Sequence, residues 1–179
     1  MKIPFIREAL TPEELGSKLA EFTILAAAPD RVTDHIIAAL DAEPTEKFFL
    51  TAFEEWYIFS VYVAHRAISA KYRGQVELRN RILDQMFQSF WANLEGRDAG
   101  KFDIAAFDLR MRERAVEYDA IDRDPSIAQG FVRGVVEHTL QRPFKMTKQD
   151  IAFYITAVAH AKATGEIIAE WCDRYRIRE

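Results

Sequence analysis

Phe48–Ala64, FFLTAFEEWYIFSVYVA, is interrupted only by Thr51, Glu54, Glu55 and Ser60. Its centre, Trp56–Val63, is rich in aromatic and β-branched residues, a composition shared with buried strands. No turn residue stands on either side of it, however, and it lies inside a longer helical frame that opens after Pro44-Thr45 and closes before Gly74. A helix over 46–72 is therefore expected, roughly 40 Å long at 1.5 Å per residue. The run carries two glutamates and is shorter than the about 20 residues of a bilayer span. A helix so apolar on nearly every side is surrounded by other helices or by a partner subunit.

The same punctuation recurs outward from this segment. Thr11-Pro12-Glu13-Glu14 places a cap, a first-turn proline and a glutamate at the third position, with Leu10 and Leu15 spaced for a hydrophobic staple. Asp30, Thr45, Asp103, Asp124 and Thr147 stand where further caps are needed, the last in a capping-box variant ending at Asp150. Breaks fall at Pro29, Gly74, Gly96, Gly100 and Pro143. Seven helices follow, over 12–27, 31–41, 46–72, 76–94, 104–120, 126–141 and 148–175. Ile82, Leu83, Met86, Phe87, Phe90 and Leu94 form one helical stripe, and Ile104, Phe107, Met111, Ala115 and Tyr118 another. No segment alternates long enough to suggest a strand. The expected fold is all-α, a single-domain bundle over 1–179 with residues 1–10 as an N-terminal arm. Short loops make its neighbours mostly antiparallel, and 46–72 and 148–175 are its two long helices. Ala157, Ala161, Gly165 and Ala169 repeat every four residues, and Gly130 and Gly134 match them on the sixth helix. A close crossing of the sixth and seventh helices is expected there.

A chain of 179 residues with one cysteine, Cys172, holds no internal disulfide and fits a reducing compartment, the cytoplasm. Residues 1–10 lack the apolar run of a signal peptide. The net charge of −4 argues against a nucleic-acid partner. Residues 1–56 hold eleven acids against five bases, most simply a solvated acidic face.

Standard chemistry is missing from the sequence. None of the four histidines has a carboxylate three residues away, and no His-x-x-x-His or cysteine cluster occurs, so no metal site is expected. The seven glycines do not cluster into a phosphate loop and the five serines include no nucleophile elbow. No cofactor and no catalytic residue is assigned.

What remains is a short set of polar groups in apolar settings. Glu54 and Glu55 interrupt the most apolar segment, and a carboxylate there needs a partner or a raised pKa. His65 lies three turns from Glu54, about 16 Å along the axis, so the two are expected to line one groove with Tyr57 and Tyr62 between them. His160 shares a face with Trp171, and His138 follows Gly134 toward the same crossing. Against each stands the plainer expectation of a glutamate paired with an arginine, or a hydrogen-bonded core histidine. Arg66, Lys71, Arg73, Arg79 and Arg81 gather at the hairpin between the third and fourth helices, around Tyr72, a candidate surface for an anion or acidic partner. Arg110, Arg112 and Arg114, interleaved with Glu113 and Glu117, suggest a salt-bridged exposed face.

The many aromatic residues of the third helix favour, in order, three functions. The first is a non-catalytic interaction protein, a homodimer or protein-partner module. The second is a binder or sensor of an apolar or aromatic small molecule. The third is an enzyme using the same glutamates and histidines as general acid and base.

Overall fold

The computed structural model of the chain describes residues 8–27, 33–38, 40, 44–97, 103–123 and 130–178. Seven helices dominate these residues: α1 (Pro12–Ala26), α2 (Thr33–Ala38), α3 (Glu46–Lys71), α4 (Val76–Arg97), α5 (Ile104–Arg123), α6 (Gly130–Thr139) and α7 (Lys148–Arg174). The expected caps at Asp30 and Asp124, the breaks at Pro29 and Gly100, and the outer residues of the second and sixth expected helices lie outside the described residues. The fold is an all-α bundle with one small addition. β1 (Ala9–Leu10) and β2 (Arg176–Ile177) pair in parallel, with the Arg176 amide donating to the Glu8 carbonyl and the Arg178 amide to that of Leu10. Two residues per strand are too few to leave an alternating pattern, so sequence reading excluded any strand.

Local hydrogen bonds begin the helices where the residue types place them. At α1 the Glu14 amide donates to the Thr11 hydroxyl at 3.1 Å, and the Thr11 amide donates to the Glu14 carboxylate at 2.8 Å. Leu10 and Leu15 are both buried beside this box. Thr45, Asp103 and Thr147 accept from the amides of Phe48, Ala106 and Asp150 in the same way. Asp150 departs from the expected box. Its buried carboxylate accepts from Arg142 and from the Lys145 amide, each at 2.6 Å, and so ties the turn before α7 to the helix. The Arg142 guanidinium holds this carboxyl below the usual aspartate range.

Every residue from Glu55 to Ala64 is buried, and α1, α4, α5, α6 and α7 all pack on α3. Trp56 meets Phe59 and Phe153, Tyr57 meets Phe90, and Tyr62 meets Tyr118 and Phe131. The chain's own helices thus cover the aromatic centre of α3. All seven helices contribute to one hydrophobic cluster, and none of them is long and apolar enough to cross a membrane among the described residues.

The closest helix pairing joins α1 and α4, and Gly16 makes it possible. A Cβ there would stand 2.6 Å from the Ile82 carbonyl oxygen and 2.9 Å from the Gln85 Cβ. Across this seam the Ser17 and Ser89 hydroxyls hydrogen-bond at 2.9 Å. The crossing expected of α6 and α7 on their glycines is corrected. Gly134 faces Tyr118 and Ile121 of α5 at 3.5 Å, while Gly130 and Gly165 have nothing within 4 Å of a built Cβ. The two helices do pack, but these three glycines do not set their approach. Gly130 instead takes a left-handed φ of 54° at the start of α6, which glycine adopts without strain.

Candidate functional site

A cavity of about 350 Å³ opens between α3, α4 and α5. Ile58, Val61, Tyr62 and His65 form its floor on α3, at helical steps of three and four residues. Phe87 and Trp91 form one wall on α4, and Met111 and Ala115 the other on α5, with Asp108 and Arg112 also on its lining. The α1–α4 seam carries Ile82 and Met86, residues of the same helix as the Phe87–Trp91 wall. Trp91 is braced edge-on by Phe107 at 5.4 Å. The Asp108 carboxylate is held by Arg112 at 2.9 Å. Burial lowers the pKa of His65; Arg79 and Arg66 add to that, and Asp119 opposes it. The imidazole is therefore neutral at pH 7.

A second cavity, of about 510 Å³, is lined by His65, Arg66, Ser69, Ala70, Arg73, Arg79 and Asp119. The two cavities share His65. Tyr62 links them further: its hydroxyl donates to Asp119 at 2.7 Å and accepts from Arg66 at 3.3 Å. Burial, then the bond to Asp119, pushes the phenol up to about 12. The basic hairpin is thus divided. Arg66, Arg73 and Arg79 turn to this cavity, whereas Lys71 pairs with Asp173 and Arg81 with Glu13. Tyr72 is buried rather than presented at the apex, where burial and the neighbouring Cys172 raise its pKa.

The glutamates of α3 meet a different environment. Glu54 pairs with Arg110, and Glu55, 2% exposed, accepts a two-pronged bond from Arg114 at 2.9 and 3.1 Å. Arg114 also holds Glu117, whose other oxygen meets His138 Nε2 at 2.8 Å. Of these side chains Glu55, Arg110, Arg114 and His138 line a third, polar cavity of about 470 Å³, together with Thr51, Gln141 and Arg142. The expected groove joining Glu54 to His65 does not form, because Arg110 draws Glu54 into an ion pair and Tyr57 packs in the core against Phe90. The expected exposed face at Arg110–Arg114 is corrected too. Of the three arginines only Arg112 is exposed, beside an exposed Glu113; Arg110 and Arg114 turn inward to α3. A signal was present, since Arg110 and Arg114 share the register of Phe107, Met111 and Tyr118.

The remaining histidines have structural partners. His160 packs 4.8 Å from the Trp56 ring, and its Nε2 lies 2.9 Å from the Ser60 hydroxyl. The Ser60 hydroxyl also lies 3.0 Å from the Trp56 carbonyl, so the histidine is tied to the backbone of α3. Trp171 packs between Phe22, tilted to it, and Tyr175, which meets it edge-on. His138 and His160 thus face different helices, and neither they nor Trp171 lines the apolar cavity. The side chain of His35 lies outside the described residues. Among the described residues no group of three or more His, Cys, Asp or Glu side chains is placed to hold a metal ion. Comparison with models of known families, with curated proteins and with solved structures finds no match for the chain.

Proposed function

We propose that the protein binds a small apolar or aromatic molecule in the cavity between α3, α4 and α5. The observation that carries this reading is the cavity's make-up. Its roughly 350 Å³ lie within the range of small-molecule sites, about 300–1,000 Å³, and aromatic and aliphatic walls surround a few polar groups, Tyr62, His65, Asp108 and Arg112. Ligand binding moves ahead of self-association through α3 because Trp56, Tyr57, Phe59 and Tyr62 at the centre of that helix are packed inside the chain. A lone buried thiol, Cys172, supports a cytoplasmic setting.

The test is titration with the neutral fluorophore N-phenylnaphthylamine. Saturable enhancement is expected with the native protein and its loss in Ala115→Trp, which fills the cavity, provided thermal melting shows that variant folded. An equal response from a folded Ala115→Trp, or no saturable response from the native protein, would overturn the reading.

A separate observation favours a second reading, self-association through α7. Ile151, Ile155 and Val158 lie on its outer face, with Ile155 60% exposed. Glu166 and Glu170, toward the far end of the helix, pair within it with Lys162 and Arg174, which leaves the aliphatic stripe as the surface for a second copy. Sedimentation at tens of micromolar is expected to show a dimer that Ile155→Lys dissociates. A monomer for the native chain would remove this reading and leave the first untouched.

A further inference from the structure

We propose that the ligand carries an anionic head, a carboxylate or a phosphate monoester, held by Arg66, Arg73 and Arg79 while its apolar body fills the cavity between α3, α4 and α5. The proposal rests on the small-molecule reading and deepens it. The two cavities share His65, so one molecule can occupy both, with the imidazole at the junction of body and head. Among the described residues, three arginines face one carboxylate, Asp119, in the basic cavity. That carboxylate already accepts the Tyr62 hydroxyl.

The other two arginines are uncompensated. Arg79 directs Nε and Nη2 to the Asn80 side-chain oxygen, a neutral acceptor, at 3.3 and 3.2 Å. Arg73 has no ion pair with a carboxylate among the described residues. Arg81, Arg110, Arg114 and Arg142, by contrast, each hold a carboxylate. Arginine forks converging from the end of α3 and the start of α4 suit the flat or tetrahedral oxygens of a carboxylate or phosphate. Ser69 adds a neutral hydroxyl on the same wall. His65 contributes no competing positive charge at pH 7, since burial lowers its pKa. An anion bound beside it would raise that pKa.

Calorimetry with decanoate, decyl phosphate and decanol on the full chain tests this. At least one anionic probe is expected to bind about tenfold more tightly than decanol, and the tighter of the two identifies the head. Arg73→Gln combined with Arg79→Gln should bring that probe to the affinity of decanol without weakening decanol itself. Ala115→Trp should abolish binding of all three. The His65 ring resonances should report an upward pKa shift with the anionic probe and none with decanol. If decanol binds as tightly as both anions, or the double variant keeps the preference, the head assignment falls and the apolar site survives. Anion binding that Ala115→Trp leaves intact overturns the joint site by removing its apolar half. Binding of none of the three overturns both readings.

Discussion

The apolar and the polar cavity are walled by the same two helices, α3 and α5, yet they have opposite chemistry. On the polar side, Glu54, Glu55 and Glu117 meet Arg110, Arg114 and His138, so the charges are consumed within the protein. On the apolar side, Ile58, Val61, Phe87 and Trp91 leave space, and the arginines beyond His65 outnumber the carboxylates that line their cavity among the described residues. A cavity rich in charge is therefore the weaker candidate for a ligand when each charge already has its counterpart. Uncancelled groups beside an apolar hollow retain something to offer.

The largest expected effect comes from breaking the satisfied side. Arg114→Met leaves Glu55 buried without its partner and should destabilise the fold by about 3–5 kcal/mol in urea unfolding. Adding Glu55→Leu should recover most of that loss, because both charges are then gone. A single variant as stable as the native chain would contradict the burial of this pair.

Disturbing the support of the apolar side comes next. Gly16→Ala forces a Cβ against the Ile82 carbonyl and should cost about 1–3 kcal/mol, although alanine is the better helix former. It should also weaken probe binding by moving α4, which carries Phe87 and Trp91. Gly165→Ala is the matched control. With open space around it, it should stabilise by about 0.5–1 kcal/mol, and a loss there would put the α7 packing in doubt.

The smallest effect is a pH slope. His65 has its folded pKa below the ordinary value of 6.5 because burial favours the neutral ring. The unfolded chain therefore binds the proton more readily, and stability is complete above about 6.5 and falls as pH drops from there toward the folded pKa. His65→Gln should flatten that part of the stability profile, measured by urea unfolding between pH 5 and 7.5. An unchanged slope would place the ring in solvent rather than between the two cavities.

Much of this architecture was readable from local residues. Thr11, Thr45, Asp103 and Thr147 each act on an amide three positions ahead, so the types at two nearby positions suffice to locate a helix start. The buried stripe of α4, Ile82 to Leu94, follows from spacing alone, as does the enclosure of α3. The site was legible only in pieces. His65, Tyr62, Arg66, Arg73 and Arg79 were each suspected, but nothing in their spacing showed that Lys71 and Arg81 would be taken by Asp173 and Glu13. The inward turn of Arg110 and Arg114 was missed because alternating charges look solvated until a buried glutamate is placed opposite. Gly16 was missed for a related reason: an isolated glycine in a helix does not say which backbone approaches it.

By itself, then, the sequence determined where α1, α3, α5 and α7 begin and which helix faces are apolar, because caps and periodicity act within a few residues. The break expected at Gly96, by contrast, does not occur, and α4 runs through it to Arg97. Only the tertiary structure decided which helices meet, which charges cancel, and that His65 lines two hollows at once. Those outcomes depend on partners far apart in the chain, such as Glu55 with Arg114 and Gly16 with Ile82, whose encounter is set by the packing of whole helices rather than by any neighbour in sequence.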